Sequence, residues 1–166
     1  MPTRPTPAEL FGTDLWLLPS VLRENSRFPG ADLRTAERPE RAQPGDEQQP
    51  PVDLATVSGV ENLEHALLLR LLTPVGGLAA LGHPRYGCRL HELIGELNNE
   101  TTRNRAKMYV LQALADEPRV QEVTSVSVTP SPRDPVEVDV RVALVTIGEP
   151  VALNLVFPFS LAGEAR

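Results

Sequence analysis

The chain has 166 residues, a formal net charge of -6 and a sequence pI of about 5.1. That length suits one domain, with at most an appended arm, and lets roughly two-thirds of the surface leave water on folding, so a core needs no staples. The acidic balance repels phosphate backbones and argues against a nucleic-acid partner.

Aromatic residues make up only 4% of the chain, so Leu, Val and Ala must build the core. The single cysteine, Cys88, precludes an internal disulfide framework. The longest apolar-rich stretch, residues 66–72, is interrupted by Arg70 and is far too short to cross a bilayer, which predicts no membrane insertion. The polar, Pro-rich start lacks the pattern of a secretory signal, so synthesis and folding in the cytoplasm are expected. Fifteen arginines against the single Lys107 are explained most simply by genome composition.

In chain order, three zones emerge. Residues 1–52 form an N-terminal arm that holds more than half of the 17 prolines. Within it, residues 14–18 read as one short strand, and the charged, Pro-rich residues 26–51 have little to bury and should not fold alone. The remainder, residues 53–166, reads as an α+β domain. Ser58-Gly59-Val60-Glu61 has the form of a capping box, and Val60, Leu63, Leu67 and Leu71 follow at helical spacing until Thr73-Pro74 and Gly76-Gly77 end the helix. A short helix is predicted after Gly87, with Leu90, Leu93 and Ile94 facing inward and Gly95 as its stop. A third helix starts near residues 99–102, presents Ala106, Tyr109, Val110, Ala113 and Leu114 on one face, and stops before Pro118.

The last zone alternates. Val136, Val138, Val140, Val142 and Leu144 mark one half-buried strand, and Val151, Leu153, Leu155 and Phe157 mark another, with a turn at Ile147-Gly148-Glu149-Pro150. Residues 120–129 give a further strand, in which Val123 is out of step with Val126 and Val128, so a bulge is expected. Three helices followed by three strands predict helices packed on one face of a small antiparallel sheet.

Chemistry-bearing residues are sparse. His83, Cys88, His91 and Glu92 are close in sequence and are possible metal ligands, but their spacing matches no closed zinc motif. Cys88 with His91 would form a nucleophile–base pair only if the fold supplied a third orienting group. No phosphate-cradling loop or dinucleotide fingerprint is present. No metal, cofactor or catalytic residue is therefore assigned. Glu117-Pro118-Arg119 stands out for a different reason. An acid at a helix C-terminus opposes the helix dipole, and an arginine after a rigid proline has a fixed direction.

The ordered series Asp53–Leu63, Leu69-Arg70-Leu71-Leu72-Thr73-Pro74, Gly76-Gly77, Tyr86-Gly87-Cys88-Arg89-Leu90, Leu93-Ile94-Gly95, Thr102-Arg103, Tyr109-Val110-Leu111 and Glu117-Pro118-Arg119-Val120 resembles the baseplate wedge and sheath-initiator family of contractile phage tails. Phe11-Gly12-Thr13-Asp14-Leu15 resembles that family's opening strand. The family includes subunits of type VI secretion and of other phage-like injection systems. Cys88 departs from the family's usual small polar residue, and residues 26–51 lie outside its pattern. The resemblance implies a non-enzymatic baseplate protein of a phage tail or tail-like particle, linking the wedge to the first sheath ring and templating sheath assembly. It implies wedge and sheath proteins as partners, hub or inner-tube proteins as further ones, and six symmetric copies. It assigns the wedge contact to Glu117, Pro118 and Arg119, with both charges paired on the wedge. The strand carrying Val151, Leu153, Leu155 and Phe157 is a candidate edge for strand addition by sheath arms. The rival readings are a metal-dependent or Cys/His hydrolase using His83, Cys88 and His91, and a regulatory module whose arm recruits a partner.

Overall fold

The computed structural model describes residues 6–17, 35–37 and 52–162, with the side chains of residues 149–151 outside that description. Most of the Pro-rich segment 26–51, the end of the predicted 14–18 strand and the Val151 side chain are thus outside the described residues. The chain forms two compact units, Met1–His65 and Ala66–Arg166.

In the first unit, the helix α1 spans Pro7–Phe11. The sequence reading did not foresee it, although Thr6-Pro7-Ala8-Glu9 encodes its start. The Thr6 hydroxyl accepts from the Glu9 N–H, the Glu9 carboxylate accepts from the Thr6 N–H at 2.7 Å, and Pro7 fills the first helical position. Gly12, with φ 72°, turns the chain into the short strand β1, Thr13–Leu15. Thr35–Glu37 forms β2 and pairs antiparallel with β3, Val52–Leu54, so the Pro-rich segment does contribute a strand. β1 pairs antiparallel with β4, Thr56–Ser58, with Asp14 opposite Val57. The helix α2, Gly59–Leu72, follows directly, and the Asn62 side-chain amide donates to the Phe11 carbonyl at 2.8 Å.

The second unit starts within α2. That helix stops where Pro74 can no longer donate, and the chain returns alongside its end. Cys88 N–H donates to the Thr73 carbonyl at 2.8 Å, and Val75 N–H donates to the Cys88 carbonyl at 3.1 Å. Only glycine fits between these bonds. At Gly87 φ is 116°, and a Cβ would sit 2.6 Å from the Thr73 oxygen.

The predicted short helix is a single 3-10 turn, Leu90–Leu93, which buries Leu90 and Leu93. Ile94, expected inside, is instead 47% exposed, because the chain is already extended at that residue. The helix α3 spans Glu100–Ala115, capped by the Asn99 side chain accepting from the Thr102 N–H at 2.9 Å. Its buried stripe includes Ala106, Tyr109, Val110, Ala113 and Leu114, as the spacing predicts.

The sheet consists of β5, Val120–Pro130, β6, Glu137–Thr146, and β7, Glu149–Ser160, antiparallel in that order. The expected irregularity is present, as the β5–β6 register shifts between Val120 and Glu122 and again between Val123 and Ser125. Val140 faces Phe157, Val142 faces Leu155 and Leu144 faces Leu153, and all six side chains are buried. Alternate residues such as Arg141 and Val156 lie on the exposed face. With α3 packed against β5, this is an α+β unit with one covered sheet face.

Candidate functional site

Three elements of the second unit build the most charged buried corner. Arg70 comes from the last turn of α2, Glu117 follows the end of α3, and Arg119 leads into β5. Glu117 Oε1 accepts from Arg119 Nε at 2.7 Å, and Oε2 lies 3.3 Å from Arg70 Nη2. The Glu117 side chain is 4% exposed, that of Arg70 11% and that of Arg119 29%. Burial alone would push the Glu117 carboxyl up, but the hydrogen bonds and charge of Arg119, then the charge of Arg70, outweigh it and hold the group below the usual carboxylate range. The Arg70 guanidinium also lies over the Tyr86 ring, 4.7 Å from its centre.

This changes the role that the sequence gave to Glu117. An acid expected to pair with a neighbour has both oxygens engaged inside its own chain, because Arg70 takes a place on the apolar stripe of α2 one turn after Leu67. Pro118 is exposed and Arg119 is partly so; these two carry the outward surface of the corner. Sequence reasoning missed Arg70 as a member of this corner. Its signal was a cation at a helical position otherwise reserved for Leu63, Leu67 and Leu71.

The candidate strand is at an edge. β7 pairs only with β6 among the described strands. Leu153, Leu155 and Phe157 point into the core, so what this edge offers is main chain, not these side chains.

The model for contractile injection system sheath initiators matches residues 46–147. The chain belongs to that family. Its structural role in the baseplate of a contractile injection system follows. The fold also resembles a crystal structure from Geobacter sulfurreducens that carries the provisional name tail lysozyme, with 25% identity, a TM-score of 0.57, and coverage of 66% of this chain and 97% of that one. No curated protein matches the chain.

The hydrolase alternative finds no support in the geometry of this sheath initiator. Cys88 is 2% exposed, its thiol donates to the Tyr109 carbonyl at 3.5 Å, and burial pushes the thiol up, away from the reactive thiolate. The His91 ring meets the Cys88 carbonyl at 3.1 Å, not the sulfur. Glu92 is bound bidentately by Arg89 at 2.8 and 2.9 Å and accepts from the Tyr109 hydroxyl at 3.1 Å. His83 is an exposed residue of a separate loop. Among the described residues, no group of three or more His, Cys, Asp or Glu could hold a metal ion, and no helix is long and apolar enough to cross a membrane.

Proposed function

We propose that this baseplate protein joins the wedge to the first sheath ring and templates sheath assembly, in six symmetric copies, as part of a phage tail or tail-like particle. The Glu117-Pro118-Arg119 corner docks on the wedge, with Arg119 and Pro118 making the contact and Glu117 holding Arg119 in place. The supporting observation is the clamp itself: one buried carboxylate fixes two guanidiniums at the end of α3, next to a proline that cannot rotate about φ. A preorganised arginine loses little rotamer freedom on docking. The β7 edge accepts a strand from a sheath arm, a mode in which main-chain hydrogen bonds supply affinity without requiring a matching side-chain sequence. Hub or inner-tube proteins are further partners, and residues 1–52 act as an arm alongside the domain formed by 53–166.

The test is the particle. With Arg119→Ala, the chain should remain folded while assembled sheathed particles disappear from electron micrographs, because an interfacial charge that loses its partner typically costs about 2–5 kcal/mol. Normal particles with this variant would refute the docking role.

The protein works in this reading without catalysis. Glu117, the buried carboxylate of the corner, is held below the ordinary range, opposite to the shift that the acid of a glycoside-cleaving pair needs. Purified protein should leave suspended cell walls turbid; clearing would refute the non-catalytic reading.

A further inference from the structure

A cleft of about 490 Å³ opens next to the corner, lined by Arg70, His83, Arg85, Tyr86 and Asp116 among others. Arg70 is only 9% exposed, and its Nε is buried with no hydrogen-bond partner. Glu117 engages only the Nη2 side of that guanidinium, so the Nε donor is left over. That Nε is closed off from solvent, so Arg70 acts on the cleft through its charge, and the donors a partner can reach directly are those of Arg85. Arg85, on the exposed part of the lining, makes no ion pair among the described residues.

We propose that this cleft receives an aspartate or glutamate side chain of the wedge subunit that meets the corner. The proposal rests on the docking reading above and adds the chemistry of the partner group. The charges select a carboxylate. Arg70, Arg85 and Arg119 against Asp116 and Glu117 leave one positive charge here, in a chain whose net charge is -6. A single carboxylate neutralises that charge, and its paired oxygens match the planar donors of a guanidinium. A phosphate would bring a second negative charge next to Asp116 and Glu117.

The Arg85→Lys variant tests this directly. Particles assembled with it are treated with a water-soluble carbodiimide, which condenses the introduced amine with any carboxylate in contact, and the products are mapped by mass spectrometry. The expected product joins position 85 to an Asp or Glu of a wedge subunit. A link to Asp116 of the same chain alone, or no link, would overturn the proposal. In parallel, Arg85→Glu should reduce wedge proteins co-purified with the full chain by about tenfold or more, with thermal unfolding unchanged and Arg85→Lys restoring recovery. If Arg119→Ala abolishes wedge recovery and Arg85→Glu leaves it intact, the corner stands and the cleft proposal fails. If neither affects it, both fail. Arg85-dependent binding of inorganic phosphate by the purified chain, combined with normal wedge recovery in Arg85→Glu, would make the cleft a small-anion site and overturn the proposal as well.

Discussion

Two clusters of arginine, carboxylate and tyrosine occupy the same compact unit and have nearly the same ingredients. One is Arg70, Tyr86, Glu117 and Arg119; the other is Arg89, Glu92, Glu96, Arg105 and Tyr109. In both, a carboxylate is bound by arginine and a guanidinium lies over a tyrosine ring, at 4.7 Å for Arg70 on Tyr86 and 4.8 Å for Arg89 on Tyr109. They differ in water. The Glu117 side chain is 4% exposed, whereas those of Glu92 and Glu96 are 34% and 35% exposed. In the buried cluster each group depends on the others, because an abandoned charge cannot be rehydrated. In the exposed cluster, water and salt replace any partner that is lost. Rigidity at the corner therefore comes from burial, not from the number of ion pairs.

The sharpest way to break this contrast is Glu117→Ala. It strands Arg70 and should cost about 3–5 kcal/mol in urea unfolding of the isolated chain. Replacing the pair together, as Arg70→Met with Glu117→Leu, should restore most of that loss, since two apolar groups leave no buried charge unpaired. A double variant as unstable as the single one would mean that Glu117 acts through something other than charge.

The second test strikes the peptide that ties the clusters together. Gly87 separates Tyr86, which lies under Arg70, from Cys88, whose thiol donates to the Tyr109 carbonyl. Gly87→Ala forces a Cβ against the Thr73 and Pro74 backbone and demands a positive φ, at a cost of about 2–4 kcal/mol in the same unfolding assay. A loss under about 0.5 kcal/mol, the range of an ordinary surface change, would show that the return segment can shift freely.

Acid sharpens the comparison further. A carboxyl held below its ordinary value near 4.5 stabilises the fold above that pH, and the contribution is lost as pH falls through the folded value. Stability should therefore fall below about pH 4.5, and Glu117→Gln should flatten this slope in high salt, where exposed carboxylates contribute least. An unchanged slope would contradict the assignment. His65 titrates in a different window. Burial lowers its pKa against the opposing pull of Glu61, so the first unit loses stability as pH drops below the ordinary histidine value of 6.5. The smallest effect belongs to the exposed cluster. Glu92→Gln should shift the melting temperature slightly in low salt and not measurably in high salt; a large, salt-independent loss would erase the contrast between the clusters.

Much of the architecture was legible because it depends on local periodicity. The alternation from Val138 to Leu144 and from Leu153 to Phe157 assigns each side chain to a sheet face, and the out-of-step Val123 announced the register shift in β5. The stripe on α3 was equally plain. Legibility failed where elements were too short to show a period. The five residues of α1 had to be read from the Thr6–Glu9 cap, and the turn at Leu90–Leu93 was too brief to keep Ile94 inside.

By itself, the sequence determined the α+β order, the covered sheet face and the family likeness, since each rests on repeats or on an ordered motif along the chain. Only the tertiary structure decided that Glu117 is an internal clamp, that Arg70 from a helix 47 positions earlier is its partner, and that a cationic cleft lies next to them. The reason is physical. Ion-pair partners and burial are set by which elements meet in space, and no spacing along the chain encodes a contact between the end of α2 and the end of α3.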